Sequence, residues 1–242
     1  MDNPSWPELA DALTRTLELT TPPIAITFSD APPEGVDAYT GPKPPPAPDG
    51  RTGPVPAGCV FWTKAVDRSF STVASDHANC SVGTLTHGFA GLEEVAGNSD
   101  VAALLESGWV TMDQVPEIPV VRARTGAVTY GPLKDTSRTP DVVLVRIRAG
   151  QLMLLADAVP DLEIGGKPQC RVVALAKEQG EVAASLGCTL SRTRTGQRDD
   201  EMTCAIPGGR LAEVVSRVAE TARIDAVAES YASADISRFD AI

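Results

Sequence analysis

Histidine is the scarcest chemistry-bearing residue in this chain, with two in 242 positions. Basic residues are also short, 21 Lys and Arg against 32 Asp and Glu, giving a net charge of −11. A nucleic-acid binder carries a basic face to replace phosphate counterions, so that class of partner is not expected. No apolar run approaches the ~18 residues of a membrane span, and a membrane partner is not expected either. The start MDNPSWPELADALTRTLEL lacks the basic-then-apolar order of a signal peptide, so a cytoplasmic location is expected. The pairs Gly165-Gly166 and Gly208-Gly209 are not G-x-G-x-x-G, and no P-loop occurs, which leaves nucleotide cofactors without support. A G-x-S-x-G nucleophile elbow is missing too, and two neighbouring histidines serve hydrolytic triads poorly.

What is present is a core-forming composition, 43% hydrophobic, and five cysteines. In a reducing compartment these are thiols rather than a disulfide framework. Ser5 and Glu8 form a capping box ahead of Leu9, Leu13 and Leu17, which predicts an opening amphipathic helix. Strands are expected at Ile24–Phe28, at Ala127–Tyr130, at Asp141–Ile147, and over 181–186 and 201–206. Helices are expected after Gly58, after Asn98, through Leu152–Ala158, from Pro168 to Gly180, and from Leu211 onward. Residues 41–58 hold seven prolines and read as a surface loop or linker. Helices and strands alternate, so the chain is α/β or α+β.

Two segments echo each other. Cys59-Val-Phe-Trp-Thr-Lys-Ala65 and Cys170-Arg-Val-Val-Ala-Leu-Ala176 both place alanine six residues after cysteine. A second cysteine follows each, Cys80 and Cys188, and an apolar strand precedes each pair by a similar distance. This order suggests two pseudo-repeated strand-helix halves, residues 1–130 and 131–242, interlocked as one compact domain. Such an arrangement would bring two cysteine pairs together at an interface between halves, a common place for ligands.

Cys59 and Cys170 are each expected in the first turn of a helix, where free N–H groups favour a thiolate. Thiolates bind iron–sulfur clusters, zinc and other soft metals. Both histidines flank Cys80, and His77 is a candidate metal ligand or proton donor, while His87 reads as packing. Trp62 is a candidate wall of a cofactor pocket. Arg192 and Arg194 are candidates to hold an anionic substrate or a cofactor carboxylate. Cys204 alternates with Met202 and Ile206 on an expected strand and reads as core.

Several pieces resemble the uncharacterised prokaryotic domain-of-unknown-function family numbered one-six-nine. They are PPIAITF, Cys59 ahead of its helix, His77-x-x-Cys80-x-x-Gly83, PDVVLVRI, KPQC at Cys170, and SLGC at Cys188 followed by DDEM and AIPGGRL. The resemblance implies that Cys59, Cys80, Cys170 and Cys188 form one set with Cys204 outside it. It departs at the proline-rich insert and in the polar stretch TLSRTRTGQR. The expectation is a cysteine-ligated cofactor protein, an iron–sulfur cluster preferred over zinc, with a redox or Lewis-acid role on a small, anionic substrate. Two alternatives stand beside it: a non-catalytic module for a small molecule or tetrapyrrole, and a thiol redox sensor. Packing alone would also account for buried cysteines.

Overall fold

The computed structural model describes residues 4–41 and 58–239, so the proline-rich expectation for 41–58 falls almost wholly outside the described residues. In chain order the main elements are α1 (Trp6–Thr16), β1 (Ile24–Ser29), α2 (Gly58–Lys64), β2 (Phe70–Val73), α3 (Ser81–Thr86), α4 (Leu92–Val95), α5 (Ser99–Glu106) and β3 (Ala127–Pro132). There follow β4 (Val142–Ile147), α6 (Ala149–Ala158), β5 (Glu163–Gly165), α7 (Arg171–Ala174), β6 (Ala183–Ser185), α8 (Thr189–Thr195), β7 (Met202–Pro207) and α9 (Leu211–Phe239). The α/β expectation holds. The opening helix carries its predicted cap, with the Ser5 N–H donating to Glu8 Oε2 at 2.8 Å. The helix that follows Pro168 is not uniform. After Ala174 it widens into a π-helical turn, Leu175–Gln179, and ends at Gly180 in the left-handed region.

One mixed sheet of seven strands runs through the molecule in the order β2-β3-β1-β4-β7-β6-β5. All neighbours are antiparallel except β5 and β6. Strands β1 and β4 sit side by side at the centre, pairing Ile24 with Leu144 and Ile26 with Val142. Outward from this pair, strand order is β1-β3-β2 on one side and β4-β7-β6 on the other, with β5 added at the edge. The two orders resemble each other, but β5, parallel to β6, has no counterpart beside β2. Strand β3 runs to Pro132, two residues past position 130.

The two faces of the sheet bury different sets, as the period of two dictates. Val143, Val145, Ile147, Cys204 and Ile206 join Leu9, Leu13, Leu155 and Val214 beneath α1, α6 and α9. Ile24, Ile26, Leu144 and Ala205 join Phe61, Trp62, Tyr130, Val172 and three of the cysteines on the opposite face. Cys204 thus faces away from the other four. Asp141 ties the halves together: it accepts from the Phe28 N–H at 2.7 Å and from Lys177 Nζ at 2.9 Å.

Candidate functional site

Four short helices on one face of the sheet begin at or next to a cysteine. Cys59 is the second residue of α2, while Cys80, Cys170 and Cys188 are the residues immediately before α3, α7 and α8. Turns or strand ends lead into Cys80, Cys170 and Cys188, and elements from both sides of the sheet bring a pair of thiols to the same place. All four cysteines line one small apolar cavity of about 20 Å³. Val82, Gly83, Trp109, Leu190, Ser191 and Arg194 complete its wall.

Burial governs the thiols. It raises the Cys59 pKa to about 11, with the neighbouring Cys80 sulfur adding to the effect, and raises Cys170 well above the ordinary range for the same first reason. The expectation that a helix start holds these two as thiolates is therefore corrected: desolvation outweighs the few N–H groups of helices this short. Cys188 is half-exposed and accepts from the Ser191 N–H at 3.4 Å. The Arg194 side chain is exposed at the rim, yet its guanidinium reaches the sulfurs. Partial burial works against its charge, but Cys80, Cys59 and Cys188 outweigh that and raise its pKa. Ser191 Oγ lies against the Cys59 sulfur and makes no hydrogen bond of normal geometry, and Gln169 Oε1 is likewise buried without a partner.

The other expected site residues fall in different places. Trp62 does not line the sulfur cavity but an adjoining one that also includes Cys59. Arg192 is a staple of the segment after Cys188, donating to the carbonyls of Leu186 at 2.7 Å, of Glu201 at 2.9 Å, and of Arg198. His77 is fully buried among Phe61, Phe89 and Tyr130, with its Nε2 3.0 Å from Thr72 Oγ1, and it does not line the cavity. Its carbonyl accepts from the Cys80 N–H at 3.1 Å and the Thr84 hydroxyl at 2.9 Å, so it positions the turn that carries Cys80.

One residue that lines the cavity, Trp109, had no role in the sequence reading, and His87, read as packing, lies close by. Trp109 covers the cavity, held by Lys167, whose Nζ donates to the Trp109 carbonyl and sits 4.8 Å from its ring centroid. His87 stands directly behind the wall. Its Nδ1 lies 2.9 Å from the Gly83 carbonyl, and a Cβ on Gly58 would come within 2.9 Å of its ring. The Thr-His-Gly spacing carries no signal for either arrangement. Among the described residues, no group of three or more His, Cys, Asp or Glu side chains is disposed to hold a metal ion.

Fold and site together define a mixed α/β protein whose two sides converge four thiols on one pocket. The chain belongs to DUF169, described as an uncharacterised ArCR family, whose profile matches residues 12–217. No curated protein and no solved structure matches the chain. Among the described residues, no helix is long and apolar enough to cross a membrane.

Proposed function

We propose that Cys59, Cys80, Cys170 and Cys188 hold one soft-metal cofactor, an iron–sulfur cluster, in the cytoplasm, with a redox role when all four ligate it and a Lewis-acid role on a small anionic substrate when one of the four leaves an iron site open. The observation that carries this reading is the convergence of four cysteines, two from each side of the sheet, on a cavity bordered by an arginine that has sulfur neighbours. Buried cysteines that served only packing would have no need of a guanidinium, and a buried hydroxyl and amide oxygen left unpartnered around them call for an explanation of their own. A metal replaces the thiol protons and removes the desolvation penalty that now keeps Cys59 and Cys170 neutral.

A single zinc ion is the poorer fit, because it needs its donors gathered within about 2.3 Å of one point, and among the described residues no such group is formed. Iron–sulfur clusters spread four thiolates over several iron atoms. A cavity of about 20 Å³ has room for about one water-sized body. Loading a cluster would therefore displace part of the wall, of which Cys188, Leu190 and Arg194 lie between Gly187 and Gly196, both with positive φ. The same small volume speaks against a tetrapyrrole, and burial of Cys59 and Cys170 makes these two poor sensor thiols. We also infer from the similar strand order that the halves descend from one duplicated unit, each supplying one cysteine pair.

The test is anaerobic purification with iron and acid-labile sulfide analysis. Stoichiometric iron and sulfide in the wild type, lost in both Cys80→Ser and Cys188→Ser, is expected. Protein that carries neither element, and takes up neither when incubated with ferrous iron and sulfide, would overturn the reading.

A further inference from the structure

A second cavity shares Cys59 and Gln169 with the sulfur pocket and measures about 130 Å³. Ile24, Val66 and Leu144 give it apolar sides. Its polar groups are unusual in being unspent. Trp62 is 5% exposed, and its indole Nε1 has no hydrogen-bond partner. Gln169 is 3% exposed; its Nε2 donates to Thr203 Oγ1 at 2.8 Å, and its Oε1 has no partner. Turning that amide over would exchange the orphaned acceptor for an orphaned donor, so a group is missing beside it in either orientation.

Among the described residues of the lining, Arg146 supplies the only charged side chain. Its nearest carboxylate is Glu201 at 3.7 Å, beyond hydrogen-bonding distance, and that carboxylate already accepts from the Arg198 N–H at 2.9 Å. A guanidinium has five donors in a fork that matches a carboxylate. Leaving a buried indole N–H and amide oxygen unpaired carries a desolvation penalty, which a bound polar molecule would remove.

We propose that this cavity is the substrate site and takes a compact 2-hydroxycarboxylate. Its carboxylate sits on Arg146, with one oxygen accepting from Trp62 Nε1, and its hydroxyl answers the free side of the Gln169 amide. A hydroxyl can both donate and accept, so it satisfies either amide orientation. At about 30 Å³ per water the volume equals about four waters, the size of an acid of a few carbons. The inference rests on the cofactor reading for its chemistry, since Cys59 is the wall between the two cavities, but the binding itself does not depend on that reading.

Isothermal calorimetry with glycolate tests it, using anaerobically purified full-length protein. Acetate removes the hydroxyl and ethylene glycol removes the charge. Saturable glycolate binding, tighter than acetate and with no response to ethylene glycol, is expected. Arg146→Met should weaken glycolate by about tenfold or more, Arg146→Lys should recover part, and Trp62→Phe should weaken it several-fold. Exposed Arg138→Met should leave it unchanged. No saturable heat, or glycolate affinity unmoved by both Arg146→Met and Trp62→Phe, overturns the proposal. Iron and sulfide measured on the same samples separate the two claims. Glycolate binding by protein that cannot take up metal contradicts the cofactor alone, and metal-loaded protein that ignores glycolate contradicts the substrate site alone.

Discussion

At the scale of single residues, two glycines with the same composition signal have opposite roles. A Cβ at Gly58 would meet the His87 ring at 2.9 Å, whereas one at Gly83 meets nothing closer than 3.6 Å. His87 is fully buried and cannot yield easily. Gly58→Ala should therefore cost about 1–3 kcal/mol by overpacking. Gly83→Ala, inside α3, should be neutral or slightly stabilising through helix propensity. Urea unfolding of the two variants checks the pair; equal costs would contradict the assigned geometry. His87 and His77 make a second prediction. Burial lowers the His87 pKa to about 4 and pushes His77 well below its ordinary value, with the two rings 5.5 Å apart. A histidine depressed in the folded state resists protonation there while the unfolded chain accepts protons near pH 6.5. Its stabilisation is complete above pH 6.5 and is lost as pH falls toward 4. The urea midpoint should drop across that window; a flat midpoint from pH 7 to pH 4.5 would contradict it.

At the scale of elements, what the sequence made legible followed from periodicity and caps. Strands β1, β3, β4 and β7 stand within a residue or two of expectation because each is a short, largely apolar run of the kind a buried strand carries. Strand β2, Phe70-Ser71-Thr72-Val73, was not expected, since two of its four residues are polar. It is stabilised by position: Ser71 and Thr72 are buried against β3, and Thr72 Oγ1 donates to the Val128 carbonyl at 3.2 Å. The glycine-punctuated stretch after Cys80 hid α3 in the same way, because small residues that allow close approach also resemble a loop. Helix α9 illustrates the reverse case. Leu211, Val214, Val215 and Val218 anchor its first turns, but Ile224, Val227 and Tyr231 are exposed beyond them. Ending the chain after Arg223 should cost less than about 1 kcal/mol, a Tm change under about 4 °C. A larger loss in the thermal melt would mean that the distal turns are needed for the fold.

At the scale of the whole molecule, the cysteines were readable as a set but not as a site. Spacings of twenty and seventeen residues match no compact metal motif, and only the sheet order shows how they come to line one cavity. With β1 and β4 paired at the centre, the helix starts that follow each half are brought to one face, and Cys204 is turned to the other by the alternation of β7. Arg194 could be suspected from its nearness to Cys188, yet nothing local distinguished it from Arg192, which the fold uses to staple carbonyls. Trp109 lay in a stretch with no signal at all, and it reaches the site only because Lys167, just before the Cys170 helix, holds it there. Long-range contacts of this kind leave no trace in sequence spacing. The central claim is that both halves ligate one cofactor. Iron K-edge X-ray absorption on the anaerobic protein tests it most directly. The account predicts an all-sulfur first shell and a short iron–iron shell, both altered by Cys80→Ser from one half and Cys188→Ser from the other. A spectrum whose iron has only nitrogen and oxygen neighbours, or that is unchanged by either substitution, would contradict it.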